Sequence, residues 1–256
     1  MKDSHTWMFA SPCIERRVVG NNYHVIVPDR EVPLFKNISA NSYKVIGEGT
    51  FFGGISIDYV RARMPDSNKN RAGWYYQQLV KLAALLQLPA NDDDFLVVWD
   101  ADTLPLINID FINPEGKLRY FRGSEHHSPY FAAIHRLLGM GKIINFSFIA
   151  QCFPIYRRWI KELIDTIQSR NGKIWYDAIL DNTDLGLMSG FSEYETMGTF
   201  LTHRHFSEIE ICNLPWERLG AQKYDIREIR DSNTASTGLC YVSFESWDKP
   251  STKRSL

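Results

Sequence analysis

Two aspartates one residue apart, Asp100 and Asp102, follow the apolar run Phe95-Leu96-Val97-Val98-Trp99. A run of that length makes one strand of a sheet covered on both faces. In open α/β sheets the carboxyl ends of the strands are where ligands bind. Two carboxylates held close together repel each other unless a cation lies between them. Their oxygens suit a hard ion such as Mg²⁺ or Mn²⁺, so the first chemistry to expect is a metal–diphosphate site. The plain alternative is a strand end followed by an Asx-type turn, with Pro105 closing the segment.

The rest of the chain must position that pair. At 256 residues with an apolar fraction of 44% it can form one large domain with a substantial core. Lys and Arg (29) nearly balance Asp and Glu (30), which removes the strong positive field expected of a nucleic-acid binder. Cys13, Cys152, Cys212 and Cys240 form no CxxC pair, which argues against a structural zinc or disulfide scaffold and fits a reducing cytosol. No signal peptide or membrane span is visible, so any membrane contact is expected to be peripheral.

Cys13–Val19 reads as the tail of a first helix, Tyr23–Val27 and Tyr43–Ile46 as strands, and Pro33-Leu34-Phe35 as a connector. Residues 47–73 read as a long irregular loop. Ala72–Leu88 is the clearest helix, with Tyr75, Leu79, Leu82 and Leu86 as its apolar seam. Beside that seam runs a stripe containing Trp74, Gln77, Gln78 and Lys81, which helix pattern alone assigns to solvent. Further on, Lys117–Phe121, Ile143–Ile149, Ile209–Cys212 and Gly238–Phe244 read as strands, and Tyr130–Leu138, Ile155–Gln168 and Trp175–Leu180 as helices. Ser192 with Glu195 matches a capping box, which accounts for that serine without function. Strand–helix–strand order implies right-handed crossovers and a mixed, mostly parallel central sheet flanked by helices, in a single domain over residues 1–256.

Asp100-Ala101-Asp102-Thr103-Leu104 resembles the first motif of haloacid-dehalogenase-like phosphatases. There Asp100 would be the nucleophile and Asp102 the acid/base. That fold usually begins with this strand, and it needs a later acidic pair for which only Asp181 and Asp184 offer themselves. The closer resemblance is to GT-A glycosyltransferases, specifically a bacterial family of predicted nucleotide-diphospho-sugar transferases. It runs through Val25–Arg30 with Pro33–Phe35, Gly73–Leu82, Val98–Thr103 and Phe191–Gly198.

That resemblance implies a UDP- or GDP-sugar donor, Mn²⁺ or Mg²⁺, and a glycan or lipid-linked acceptor, in bacterial surface polysaccharide synthesis. The setting would be cytoplasmic, or peripheral at the inner membrane. Asp102 would hold the metal, and Asp100 would contact the ribose or reach the metal through water. Lys81 and Arg71 would add positive charge near the phosphates, Gln77 and Gln78 would hydrogen-bond the donor, and His203 or His205 would be a further metal ligand. Glu193 is the candidate base for the acceptor hydroxyl, with Asp184 in reserve. Members of that family carry a strand before the segment equivalent to Cys13–Val19. Here Thr6-Trp7-Met8-Phe9-Ala10 is a short version of it, and this departure admits a third reading, a degenerate transferase that binds without turnover.

Overall fold

The structure, a computed structural model, describes residues 3–51, 55–231 and 237–245. Its helices are α1 (Ser4–Arg17), α2 (Val32–Ile38), α3 (Ile57–Ala62), α4 (Ala72–Gln87), α5 (Ser128–Leu138), α6 (Arg157–Asn171), α7 (Trp175–Asn182), α8 (Glu193–Arg204), α9 (Gly220–Lys223) and α10 (Ile226–Asp231). Its strands are β1 (Tyr23–Val27), β2 (Tyr43–Gly47), β3 (Phe95–Trp99), β4 (Thr103–Pro105), β5 (Leu118–Phe121), β6 (Cys152–Tyr156), β7 (Ile209–Cys212), β8 (Trp216–Glu217) and β9 (Tyr241–Ser243). No helix among the described residues is long and apolar enough to cross a membrane.

The chain divides into two compact units that interleave in sequence. The first takes Met1–Glu48, Trp99–Ile112 and Cys212–Leu256, and the second takes Gly49–Val98 and Asn113–Ile211. In the first, β1 and β2 pair in parallel from Tyr23↔Tyr43 to Val27↔Gly47, with α2 as the crossover. A Cβ at Gly47 would meet the Asp29 carboxylate at 2.0 Å, so that side chain would have to move. Helix α1 buries Trp7, Ala10, Ser11 and Ile14, a spacing that places one face inward. That face makes Thr6–Ala10 helical, where a vestigial strand was expected. Pro33-Leu34-Phe35 lies inside α2 rather than in a connector. The remaining ladder of this unit joins β4 antiparallel to β9, and β9 parallel to β8.

In the second unit the core is α8, in which every residue from Glu193 to Thr202 is buried. It packs against α4, α5 and α6. Gly139 and Gly172 end α5 and α6 in left-handed conformations (φ 70° and 63°), the expected stop for a helix that turns sharply. The expected irregular segment 47–73 contains α3 and two 3₁₀ turns, Glu48–Phe51 and Asp66–Arg71. Its Gly53 and Gly54 lie outside the described residues.

Two expectations fail here for visible reasons. Ile143–Ile149 is no strand; it makes one isolated bridge, Ser147 to Gly123. The amide of Phe148 donates instead to Glu195 Oε1 (3.1 Å) and that of Ile149 to Ser147 Oγ (3.0 Å), so side chains take the donors a ladder needs. The run before Asp100 is a strand, but β3 pairs only with β6 and every one of its residues is half-buried. Among the described residues the strands form four small sheets rather than one continuous mixed sheet. The alternation of helices and strands, and the parallel β1–α2–β2 crossover, follow the expected α/β class.

Gly198 lies inside α8, and a Cβ there would meet the buried Phe148 ring at 1.9 Å. Helix propensity alone makes Gly→Ala stabilising by about 1 kcal/mol, whereas overpacking a core costs about 1–3 kcal/mol. At 1.9 Å the clash dominates. Gly198→Ala should therefore lower the melting temperature by several degrees, by about 2–4 °C per kcal/mol. An unchanged or raised melting temperature would show that Phe148 does not pack on the helix backbone.

Candidate functional site

In the first unit, Asp100-Ala101-Asp102 forms a tight corner between β3 and β4. The Thr103 amide donates to the Asp100 carbonyl (2.9 Å), and the Trp99 indole N–H donates to the Thr103 carbonyl (2.8 Å). The Phe244 amide donates to the Asp102 carbonyl (2.8 Å), which fastens the corner to the end of β9. Trp99 packs edge-on against Phe111 and Tyr241 at 6.4 and 5.7 Å. Both aspartates are half-buried. Asp102 Oδ1 lies 3.5 Å from the hydroxyls of Thr103 and Ser243, which point its carboxylate. The corner thus offers two hard oxygen donors on a rigid backbone. That donor set fits Mg²⁺ or Mn²⁺ with water and diphosphate oxygens completing the shell, since such ions keep part of their coordination outside the protein.

The second unit brings together two of the stretches singled out in the sequence. On α4, Gln78 Oε1 accepts from the Glu193 amide (3.0 Å), at the first residue of α8. One turn further along α4, Lys81 Nζ donates to Glu193 Oε1 (2.7 Å) and lies 4.4 Å from the centre of the Tyr194 ring. This pair is largely buried, with side-chain exposures of 17% for Lys81 and 5% for Glu193. Lys81 therefore serves first as the counter-ion of Glu193. Gln78 Nε2 is buried with no hydrogen-bond partner among the described residues. Gln77 is exposed, as the helix pattern implied. Arg71 donates from Nε to the Met188 carbonyl (2.8 Å), with its guanidinium 4.8 Å from the Trp74 ring centre.

A second buried carboxylate stands beside the first. Glu195 accepts from Lys142 Nζ (2.7 Å), Ser147 Oγ (2.5 Å) and the Phe148 amide (3.1 Å). The capping box is therefore half made: Ser192 Oγ accepts from the Glu195 amide (3.2 Å), while the Glu195 side chain is drawn away to Lys142. Nearby, Tyr130 hydrogen-bonds Glu125 and Ser189, and burial, then the Glu125 charge, pushes its hydroxyl well above the usual tyrosine range.

The remaining candidates take other places. Asp184 is exposed and accepts from the Gly186 amide through Oδ1 (3.0 Å), in the turn after α7. His203 is exposed and donates from Nε2 to the Gly141 carbonyl (2.8 Å). His205 sets Nδ1 and Nε2 against Glu208 (2.9 Å) and Glu162 (2.7 Å) and stacks on Trp159, so neither nitrogen is open to a metal. Among the described residues no three His, Cys, Asp or Glu side chains converge as a metal group. Asp181 ends in an ion pair with Lys173 (2.5 Å) within α7, and Asp184 follows that helix rather than a strand.

Residues 15–250 match the family described as "Family of unknown function (DUF6492)". The chain belongs to that family. No curated protein matches it. Its course is similar to the crystal structure of mouse xyloside xylosyltransferase 1 in the apo form, at 11% identity and a TM-score of 0.46, over 95% of this chain and 92% of that one.

The sequence pattern missed Lys142 and Ser147, whose only signal was Glu195 in a helix that is buried from Glu193 to Thr202. It also missed Asn68 and Tyr75 as anchors of the turn after α7. The Lys81–Glu193 pair makes a direct test. Breaking a buried pair by removing one partner costs about 3–5 kcal/mol, because the other charge is left uncompensated. Lys81→Met and Glu193→Gln should each lower stability in urea, and the double variant should lose clearly less than their sum. Additive losses would mean that the two side chains are not coupled.

Proposed function

We propose that this member of DUF6492 is a metal-dependent glycosyltransferase that moves a sugar from a UDP- or GDP-sugar to a glycan or lipid-linked acceptor. The observation that carries the reading is the half-buried Asp100–Asp102 corner at the end of an apolar strand, its backbone hydrogen-bonded and its Asp102 carboxylate 3.5 Å from two hydroxyls. Asp102 and Asp100 would hold the divalent ion, which when bound neutralises charge on the departing diphosphate. Glu193 is the proposed base. It takes the proton of the acceptor hydroxyl as that oxygen bonds to the anomeric carbon and the nucleoside diphosphate leaves. Lys81 and the Gln78 carbonyl orient Glu193 from the side chain and the backbone respectively. Asp184, exposed in a turn, is the weaker base candidate. Gln77 on α4 and Arg71 just before it are proposed as donor contacts.

The proposal extends to bacterial surface polysaccharide assembly at the cytoplasmic side of the membrane, on the residue resemblance alone. The phosphatase reading has less support, because Asp181 and Asp184 follow a helix and Asp181 is spent on Lys173. The test is the pair Asp100→Asn/Asp102→Asn. Mn²⁺-dependent UDP or GDP binding should weaken by at least about tenfold, or 1.4 kcal/mol, with circular dichroism and thermal melting unchanged. Unaltered nucleotide affinity in a folded variant would remove the aspartates from the donor site.

A further inference from the structure

The turn between α7 and α8, residues 183–190, has no regular structure of its own, yet its backbone is fixed from three directions. Asn68 Nδ2 donates to the carbonyls of Leu185 and Leu187 (both 2.7 Å). The Tyr75 hydroxyl donates to Leu187 (2.8 Å) and accepts from the Gly190 amide (2.8 Å). Arg71 holds the Met188 carbonyl (2.8 Å), and His127 Nε2 donates to that of Ser189 (2.8 Å). Ordering a backbone costs about 1–2 kcal/mol per residue, and surface turns are usually left mobile. This one is immobilised while the side chains at its tip stay in water: Leu187 is 36% exposed and Met188 61%. Apolar groups held out on a rigid turn are a preorganised surface.

The same turn walls an open cleft of about 460 Å³, bounded by Arg63 and Pro65 on one side and Asp181, Asp184 and Leu185 on the other. That size lies within the usual range of ligand sites, about 300–1,000 Å³. Its charges select the occupant. Arg63 is paired with Asp177 (2.8 Å) and Asp181 with Lys173 (2.5 Å). The carboxylate left over is Asp184, whose Oδ1 takes the Gly186 amide. A phosphate or anionic headgroup would meet a carboxylate there without a spare cation. A neutral ligand with hydroxyl donors and an apolar face meets both features.

We propose that this turn and its cleft form a preformed binding site for a neutral saccharide ring, with hydroxyls on Asp184 and the C–H face on the apolar residues. As the place where an acceptor glycan docks, it rests on the transferase reading. As a saccharide site it stands by itself. The experiment is saturation-transfer NMR on the full chain with the methyl glycosides of glucose, galactose, mannose and N-acetylglucosamine. At least one glycoside should receive saturation on its ring protons. Its affinity should fall about tenfold in Leu187→Ser/Met188→Ser, two exposed positions, while UDP and GDP binding stay as in the wild type. Absence of transfer to all four, equal affinity in the variant, or self-association abolished by the variant would overturn the proposal, the last by making the tip an interface between copies. Manganese-dependent nucleotide binding without glycoside transfer removes this site and leaves the transferase. Glycoside transfer without nucleotide binding keeps the site and removes the transferase.

Discussion

Two carboxylates buried in the first turn of α8 set the arrangement of the second unit. Glu193 and Glu195 are 4% and 0% exposed, and a buried charge is tolerated only when paired and hydrogen-bonded. The helix N-terminus favours negative charge, but its contribution of about 0.3–1 kcal/mol is too small to hold two desolvated carboxylates. Lys81 from α4 and Lys142 from the segment after α5 must therefore be where they are. The consequences spread outwards. Lys81 brings the polar stripe of α4 against α8, and Lys142 with Ser147 turns residues 143–149 from a strand into a loop whose amides serve Glu195. Gly198, one turn later, lets that loop's Phe148 lie on the helix itself.

The first unit depends on a different device. Its aspartate corner is built from backbone hydrogen bonds and one indole. The Asp102 carboxylate lies 3.5 Å from the hydroxyls of Thr103 and Ser243. That difference separates the two acidic pairs of the chain. Glu193 and Glu195 are buried and held by lysines, whereas Asp100 and Asp102 are half-buried at a backbone corner.

Much of this was legible in the sequence where periodicity and punctuation agree. The seam of α4, the glycine stop after α5, the serine cap of α8 and the apolar run of β3 all carry local signals that the structure keeps. The failures share one cause. Thr6–Ala10, Ile143–Ile149 and the Glu195 side chain are decided by partners far along the chain, so their local patterns pointed elsewhere. The stripe of α4 shows the same limit from the other side: Gln77 is exposed, as pattern alone implies, while Gln78 and Lys81 are recruited by α8. The pinned turn could not be read at all, because its anchors Asn68, Tyr75 and His127 lie between 62 and 119 residues away.

The central claim is that the Asp100–Asp102 corner holds a nucleotide diphosphate through a divalent ion. Calorimetric titration of the wild-type chain with UDP and GDP, each with and without Mn²⁺, tests it most directly when p-nitrophenyl phosphate turnover is followed in parallel. The account predicts that one nucleotide binds only when Mn²⁺ is present and that no phosphate is released. Phosphate release without nucleotide binding, or nucleotide binding indifferent to Mn²⁺, would contradict it.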